Sequence, residues 1–549
     1  MPAAALLLPV ALLAAGALLA WAAGRTGPGA GRALAALFAW AALGALVLLW
    51  APERNPLDLN AGELGAGIRF VLRLNAVSFA FCLFVLAPVA TLLTFQRSPS
   101  PPLAMLATAT SLLTLLAGGL ILAVLAWGAT FLLVALLVQA GGAAQPAATR
   151  FRQQAAWLLL IWAAAALWAR GGTDQYAAIP VSALSAPIFG LVALGAVIAS
   201  GLVPWKPWPA LLWEKLPPEL AGISIVSLYF TGFYLLVRMY ETGDGRLPGS
   251  IFNLALAGLG AGCALCAALR AQAAPTRRAY LAEALPMAGG FALLALGLGT
   301  ALGLAAAIGT LAVASLLAAL LPLVNDEALS APLILTLAVA VGLPPTAVFG
   351  TRLLDLQAAV ESNEAGGYLA LVAAAAWLIG IAAGARAVRL TPRTQAAGGS
   401  PVGALLVAAL LVAGGAALGA LQAAIAIPAA ADVITFPGTA LTGTPFATAA
   451  ASGSWPAVAL GGLAVLAVMA LAVAGRSRAV PALSGPEPPP LLTPHWELLP
   501  DRLGAVADRL EIPAEFRVTG WKRLDQAMTR GSVWLWVALF VLLALLVAR

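Results

Sequence analysis

Apolar residues fill this chain in long blocks rather than in stripes. From Leu6 to Ala23 no position is charged, and runs of about 20 apolar residues, enough to cross the hydrocarbon layer of a bilayer as a helix, recur along its whole length. The runs lack the period-two alternation of a transmembrane barrel, so the pattern predicts an all-α, polytopic integral membrane protein. About 14–16 transmembrane helices are expected. Their segments are 3–23, 30–50, 76–95, 102–117, 118–138, 153–170, 184–203, 217–238, 250–271, 282–299, 301–321, 331–351, 366–386, 401–428, 455–474 and 532–548. Met1 and Pro2 place no basic residue ahead of the first run, which reads as a membrane helix and not as a cleaved signal.

Two segments interrupt this pattern. The first runs from Gly201-Leu202-Val203-Pro204-Trp205-Lys206 through Pro209 to Pro217-Pro218-Glu219, and the second is Gly342-Leu343-Pro344-Pro345 followed by Thr346–Arg352. Proline removes a backbone donor and clashes with the preceding turn, so each cluster ends or breaks a helix. They fall at the seventh and twelfth spans. An offset of five spans gives the second copy inverted topology, as in transporters built from inverted repeats with broken helices. Proline placement alone is equally compatible with plain span ends.

Composition adds to this picture. Of 549 residues 62% are hydrophobic and 9% are charged, against about 25% charged in an ordinary soluble domain. Counted up to residue 300, the odd loops hold ten basic residues (Arg25, Arg32, Arg97, Arg150, Arg152, Lys206, Lys215, Arg270, Arg277, Arg278) and the even loops six (Arg54, Arg69, Arg73, Arg170, Arg238, Arg246). The positive-inside rule then puts the odd loops in the cytoplasm and both termini outside, in a prokaryotic-type inner membrane. The net charge of +7 reflects this topology, and no nucleic-acid partner is expected. His495 is the only histidine, so no cofactor or metal site is expected from histidines. Cys263 and Cys266 form a C-x-x-C inside an apolar run and read as packing residues, the alternative being a redox or metal pair.

The order of several short motifs carries a resemblance. Pro204, Trp208 and Pro217 stand as in P-L-H-x-W-L-P-D-A and the following A-P-T-P-V-S-A. Gly232, Tyr234, Leu236 and Arg238 reproduce G-x-Y-x-L-x-R, and Gly342–Arg352 resembles G-L-P-P-x-A-G-F-F-x-K. Upstream, Ala117–Leu120 through Trp127 resembles an S-G-N-L-L run leading to W-E, and downstream Arg277–Tyr280 resembles K-R-L-L-A-Y-S-S. From Arg69 to about Arg352 the chain resembles the antiporter-like membrane subunits of respiratory complex I, membrane-bound hydrogenases and multisubunit cation/proton antiporters. The resemblance implies two inverted five-helix repeats, with helices 7 and 12 broken. It also implies a mid-membrane file of ionisable residues that passes protons. The expected organisation is N-terminal helices over 1–101, repeats over 102–238 and 250–390, further helices over 401–475, a linker and surface helix over 476–531, and a final span over 532–549.

The departures matter as much as the matches. Where the resemblance implies ionisable side chains, this sequence has Gly128, Ala199, Phe230 and, within Ser315–Leu317, Leu317. A histidine is replaced by Lys206, and Arg352 alone keeps a base, although arginine holds its proton too tightly to relay it. The expected function is therefore a structural antiporter-like subunit with a degenerate ion pathway, without redox chemistry of its own. Two alternatives remain. The first is a working proton or sodium path through Lys206, Glu214, Lys215, Glu219, Arg352 and Asp355. The second, an unrelated solute transporter, needs a polar cavity that the sequence does not suggest.

After the proline-rich stretch 481–494, Leu503, Val506 and Leu510 share one helical face, as do Trp521, Leu524 and Met528, with charges on the others. The segment 495–531 is expected to lie along the membrane surface, against other membrane subunits of a multisubunit complex. The alternative is a helix that meets only the headgroups of the lipid bilayer.

Overall fold

The computed structural model describes residues 3–51, 56–65, 68–96, 98, 100–143, 145–202, 207–324, 330–388, 390 and 399–434. The expected segments 455–474, 476–531 and 532–548 lie outside the described residues.

The chain is a multi-pass, all-α membrane protein, and among the described residues nine helices are long and apolar enough to cross a bilayer. In chain order the helices are α1 (Leu8–Gly24), α2 (Pro28–Leu49), α3 (Ala76–Phe95), α4 (Pro101–Leu116), α5 (Leu120–Ala140), α6 (Ala147–Gly171), α7 (Ala186–Ala199), α8 (Trp208–Lys215), α9 (Pro218–Thr242), α10 (Ser250–Ala273), α11 (Arg277–Ala282), α12 (Ala284–Gly297), α13 (Ala301–Leu323), α14 (Ala331–Val341), α15 (Ala347–Ser362), α16 (Glu364–Ala387) and α17 (Pro401–Ala416). Each of the first fourteen expected spans has a helical counterpart.

The starts of these helices follow from sequence. Asn75, Thr300, Thr346, Asn363 and Ser400 each accept a hydrogen bond from a backbone N–H of the first turn. Proline stands in the first turn of α4, α9, α14 and α17, where its missing N–H costs nothing. The centre is built from α3, α9, α12 and α13, which are buried almost throughout, whereas α1, α2, α10 and α16 each expose a broad face. Helix α13 packs on both α3 and α9, so the two expected repeats share one core. Side-chain bonds stitch them together: Tyr229 Oη donates to Leu285 O at 3.0 Å and Tyr240 Oη to Leu296 O at 2.7 Å.

Three features depart from the expected pattern. Where no element was expected, β1 (Leu57–Gly65) and β2 (Ile68–Leu74) pair as an antiparallel hairpin. The span expected over 401–428 is bent by 90° between Pro401–Ala416 and Leu418–Ala431, and a π-helical turn occupies Gln422–Ala426. Gly415, just before the bend, leaves room for the Pro345 carbonyl, against which a Cβ would collide. Finally, Arg238 and Arg270, counted above with the loop charges, lie within α9 and α10 and are buried.

Candidate functional site

Both proline clusters break a helix, and the chain leaves the two helices in the same way. After α7, Gly201 takes a left-handed φ of 68°, with Gly201 N donating to Ile198 O and Leu202 N to Val197 O. After α14, Gly342 takes a φ of 70°, with Gly342 N donating to Val339 O and Leu343 N to Ala338 O. This is the Schellman close, in which a glycine without a Cβ enters the left-handed region and its own amide and the next one satisfy carbonyls of the last turn. The Gly-Leu pair ahead of each proline cluster is thus its sequence signature.

The four positions where the resemblance implies ionisable side chains are all buried and filled. A Cβ on Gly128 would lie 2.6 Å from Trp157 Nε1, so the indole of α6 occupies the space of a side chain there; that Nε1 donates to Val124 O at 3.0 Å. Ala199 ends α7, and its carbonyl accepts from Trp208 Nε1 at 3.0 Å. Phe230 packs between Phe84 and Tyr229, with ring centroids 6.0 and 5.2 Å away. Leu317 is buried within α13, and neighbouring Ser315 returns its hydroxyl to Ala312 O of its own helix.

Arg352 sits at the second break, against the end of the helix that precedes it. Its Nη1 donates to Val341 O at 2.6 Å and its Nη2 to Ala340 O at 3.2 Å, the last carbonyls of α14. The guanidinium also lies over the rings of Phe291 and Trp377. A cation at a helix C-terminus is favoured by the unpaired carbonyls and by the helix dipole. Three further arginines follow the same rule. Arg278 bonds Trp213 O and Leu216 O at the end of α8, Arg277 bonds Ala387 O and Val388 O at the end of α16, and Arg386 bonds Gln272 O and Ala274 O at the end of α10.

The remaining sequence candidates do not converge on one centre. Glu214 and Lys215 stand in the last turn of α8 and Glu219 in the first turn of α9; Lys215 is exposed, and the two glutamates are half-buried. Lys206 lies outside the described residues. Asp355 is different: it is fully buried on α15, and its Oδ2 accepts from Thr310 Oγ1 of α13 at 2.6 Å.

Three charged groups went unread in the sequence. A ladder of alternating charge climbs from the hairpin into the core: Asp58 pairs with Arg73 at 2.8 Å, Arg73 with Glu241 at 3.3 Å, and Glu241 with the fully buried Arg238. Arg238 also donates to Asn75 Oδ1 at 3.0 Å and Ser78 Oγ at 2.6 Å. The bond to Asp58 raises the pKa of Arg73 above its ordinary value. Arg238 and Glu241 stand three apart on one helix, a spacing that signals the pair. The second group is a buried, two-bonded ion pair of Arg270 with Glu283, at 3.0 and 2.9 Å. The third is Asp174, buried in the loop before α7 against Gly119, where burial raises its carboxyl pKa above the usual range.

The same arrangement of helices occurs in solved structures. A chain of the Mrp complex from Dietzia sp. DQ12-45-1b aligns over 98% of this chain, with a TM-score of 0.69 and 22% identity. A chain of the membrane-bound sulfane sulfur reductase, an archaeal respiratory membrane complex, aligns over 98% with the same TM-score and 18% identity. The fold is that of the antiporter-like membrane subunits. A chain of respiratory complex I from Thermus thermophilus with bound NADH shares it over 79% of the present chain, with a TM-score of 0.62 and 21% identity. The antiporter-like fold accounts for the full length of the reductase and complex I chains, whereas the present chain spans 62% of the Mrp chain. No protein-family model and no curated protein matches the sequence.

Proposed function

We propose that this chain is a structural antiporter-like subunit in the membrane part of a multisubunit complex related to complex I or to the hydrogenase-type respiratory complexes, with a degenerate ion path. One observation carries the reading: the positions where the resemblance implies ionisable residues are occupied by packed side chains, and Arg352 at the second break turns both terminal nitrogens to the last carbonyls of α14. A proton wire needs polar groups to hold its water, and Trp157, Phe230 and Leu317 offer an indole already bonded to backbone, a phenyl ring and an isobutyl group. On this reading the expected repeats 102–238 and 250–390 are retained as a frame. The segment 495–531 lies on neighbouring subunits, and both termini face outward from the inner membrane.

The test is Arg352→Leu and Glu219→Leu in the assembled complex, with proton movement and assembly measured on the same preparations. Reduced assembly with unchanged proton movement per assembled complex is the expected result. Loss of proton movement in fully assembled complexes overturns the proposal in favour of an active path through unconventional residues.

A further inference from the structure

Arg246 follows α9, and its side chain has no ion-pair or hydrogen-bond partner among the described residues. It lines a cleft of about 880 Å³ at the end of the bundle where α9 and α12 finish and α10 and α16 begin. That size lies within the ~300–1,000 Å³ usual for small-molecule sites. Glu364, in the first turn of α16, lines the same cleft and is likewise unpartnered among the described residues. The helix does not use it as a cap, since Asn363 Oδ1 already accepts from Gly366 N at 2.8 Å. Tyr240 and Asn253 spend their hydrogen bonds inside the wall: Asn253 Nδ2 donates to Tyr240 Oη at 3.2 Å, and that hydroxyl donates to Leu296 O. Asp244 lines the adjoining cleft and not this one. The cleft thus presents one cation and one anion, both exposed and not bonded to each other.

The apolar side of the cleft runs out onto the membrane-facing surface. Ile251 and Leu254 of α10 line it and are 73% and 52% exposed. Leu369 lines it from α16, where the exposed Tyr368 and Leu371 extend the same surface. Both helices are 24 residues long and apolar enough to span a bilayer, so their first turns lie at headgroup level and later turns in hydrocarbon. A ligand that fills this cleft from the bilayer has a charged end for Arg246 and Glu364 and a hydrocarbon end for Ile251, Leu254 and Leu369. A phosphodiester suits the guanidinium, whose parallel N–H groups match phosphate oxygens. The carboxylate selects what the phosphate carries. A primary ammonium has three N–H donors and a quaternary ammonium has none, while a headgroup of net negative charge sets a like charge against Glu364.

We propose that this cleft binds a zwitterionic, ethanolamine-type phospholipid, with its phosphate on Arg246, its ammonium on Glu364 and an acyl chain along Ile251, Leu254 and Leu369. The inference concerns the rim of the bundle and uses none of the residues on which the scaffold reading rests, so either can fail without the other.

Native mass spectrometry of the full-length chain, released from bilayer discs holding equal phosphatidylethanolamine, phosphatidylglycerol and phosphatidylcholine, tests it. The wild type is expected to retain phosphatidylethanolamine in preference to both others. Arg246→Gln is expected to lower that retention about tenfold, the loss of one charge-assisted contact. Glu364→Gln is expected to remove the advantage of phosphatidylethanolamine while sparing phosphatidylglycerol. Neither side chain is bonded within the described chain, so both variants are expected to keep the wild-type thermal midpoint. In the assembled complex, a phosphatidylethanolamine with a photoreactive acyl chain is expected to label the stretch 247–257, and to label it less in Arg246→Gln. Equal retention of the three lipids by the wild type, or phosphatidylethanolamine retention that either variant leaves unchanged, overturns the proposal. Retention of phosphatidylglycerol above phosphatidylethanolamine overturns it too, since a cation alone then does the binding. So does absence of labelling in the assembled complex, where a protein segment then fills the cleft.

Discussion

At the scale of single residues, the buried charges divide into those paired with an opposite charge and those held in other ways. Arg270 and Glu283 are paired, sealed and doubly bonded. Replacing one partner deprives a buried charge of its counter-ion, whereas replacing both with apolar groups of similar volume is often nearly neutral. Arg270→Leu is therefore expected to cost about 3–5 kcal/mol, and Arg270→Leu with Glu283→Leu clearly less, as read from thermal midpoints in detergent. Asp174 is held by burial. Its carboxyl is raised above its ordinary value, so the stability it contributes is present at acid pH and lost as the pH rises through its folded-state value. Asp174→Asn stays neutral throughout and is expected to gain on the wild type as the pH rises above about 4, the ordinary aspartate value. A difference between the two midpoints that is flat with pH would refute that assignment.

At the scale of elements, the two breaks were legible because Gly-Leu followed by proline is a local signal, and Gly201 and Gly342 both take the left-handed conformation it implies. Gly342→Ala forces a Cβ into that region at a cost of about 1–2 kcal/mol. The Cβ also meets the Arg352 guanidinium at 2.9 Å, so a lowered midpoint is expected together with a weakened Arg352 cap. The hairpin was not anticipated: the alternation of Leu57-Asp58-Leu59-Asn60 and Ile68-Arg69-Phe70 is short beside the long apolar blocks. What no local pattern reveals is pairing at a distance. Arg278 reaches back 65 positions to Trp213, Arg73 reaches 168 forward to Glu241, and Thr310 bonds Asp355 across 45. The sequence therefore named Arg352 and Asp355 as polar residues near a break, and only the fold separated a helix cap from a sealed acid.

At the scale of the molecule, the central helices are closed on all sides while α1, α2, α10 and α16 keep apolar faces outward. Removing 495–549 from the chain tests the expected docking segment: the remaining membrane helices are predicted to insert, while co-purification of neighbouring subunits falls. Undiminished co-purification refutes that role. The arginine caps also bear on how the protein is made. Eleven residues of α14 extend about 16 Å and fourteen of α7 about 21 Å, both short of the roughly 30 Å hydrocarbon layer. Neither half-helix is self-sufficient in lipid as the ribosome delivers it. The last carbonyls of α8 find their donor only when Arg278 emerges, 62 residues after Leu216. Assembly of this bundle is thus expected to be deferred, with early segments waiting near the insertion machinery for later ones. In a cysteine-free background, Ala210→Cys should react with a water-soluble maleimide in nascent chains that end at residue 275 and become protected in chains that end well beyond α12. Equal protection at both lengths would mean that α8 settles without its arginine, and that the cap secures a helix already in place.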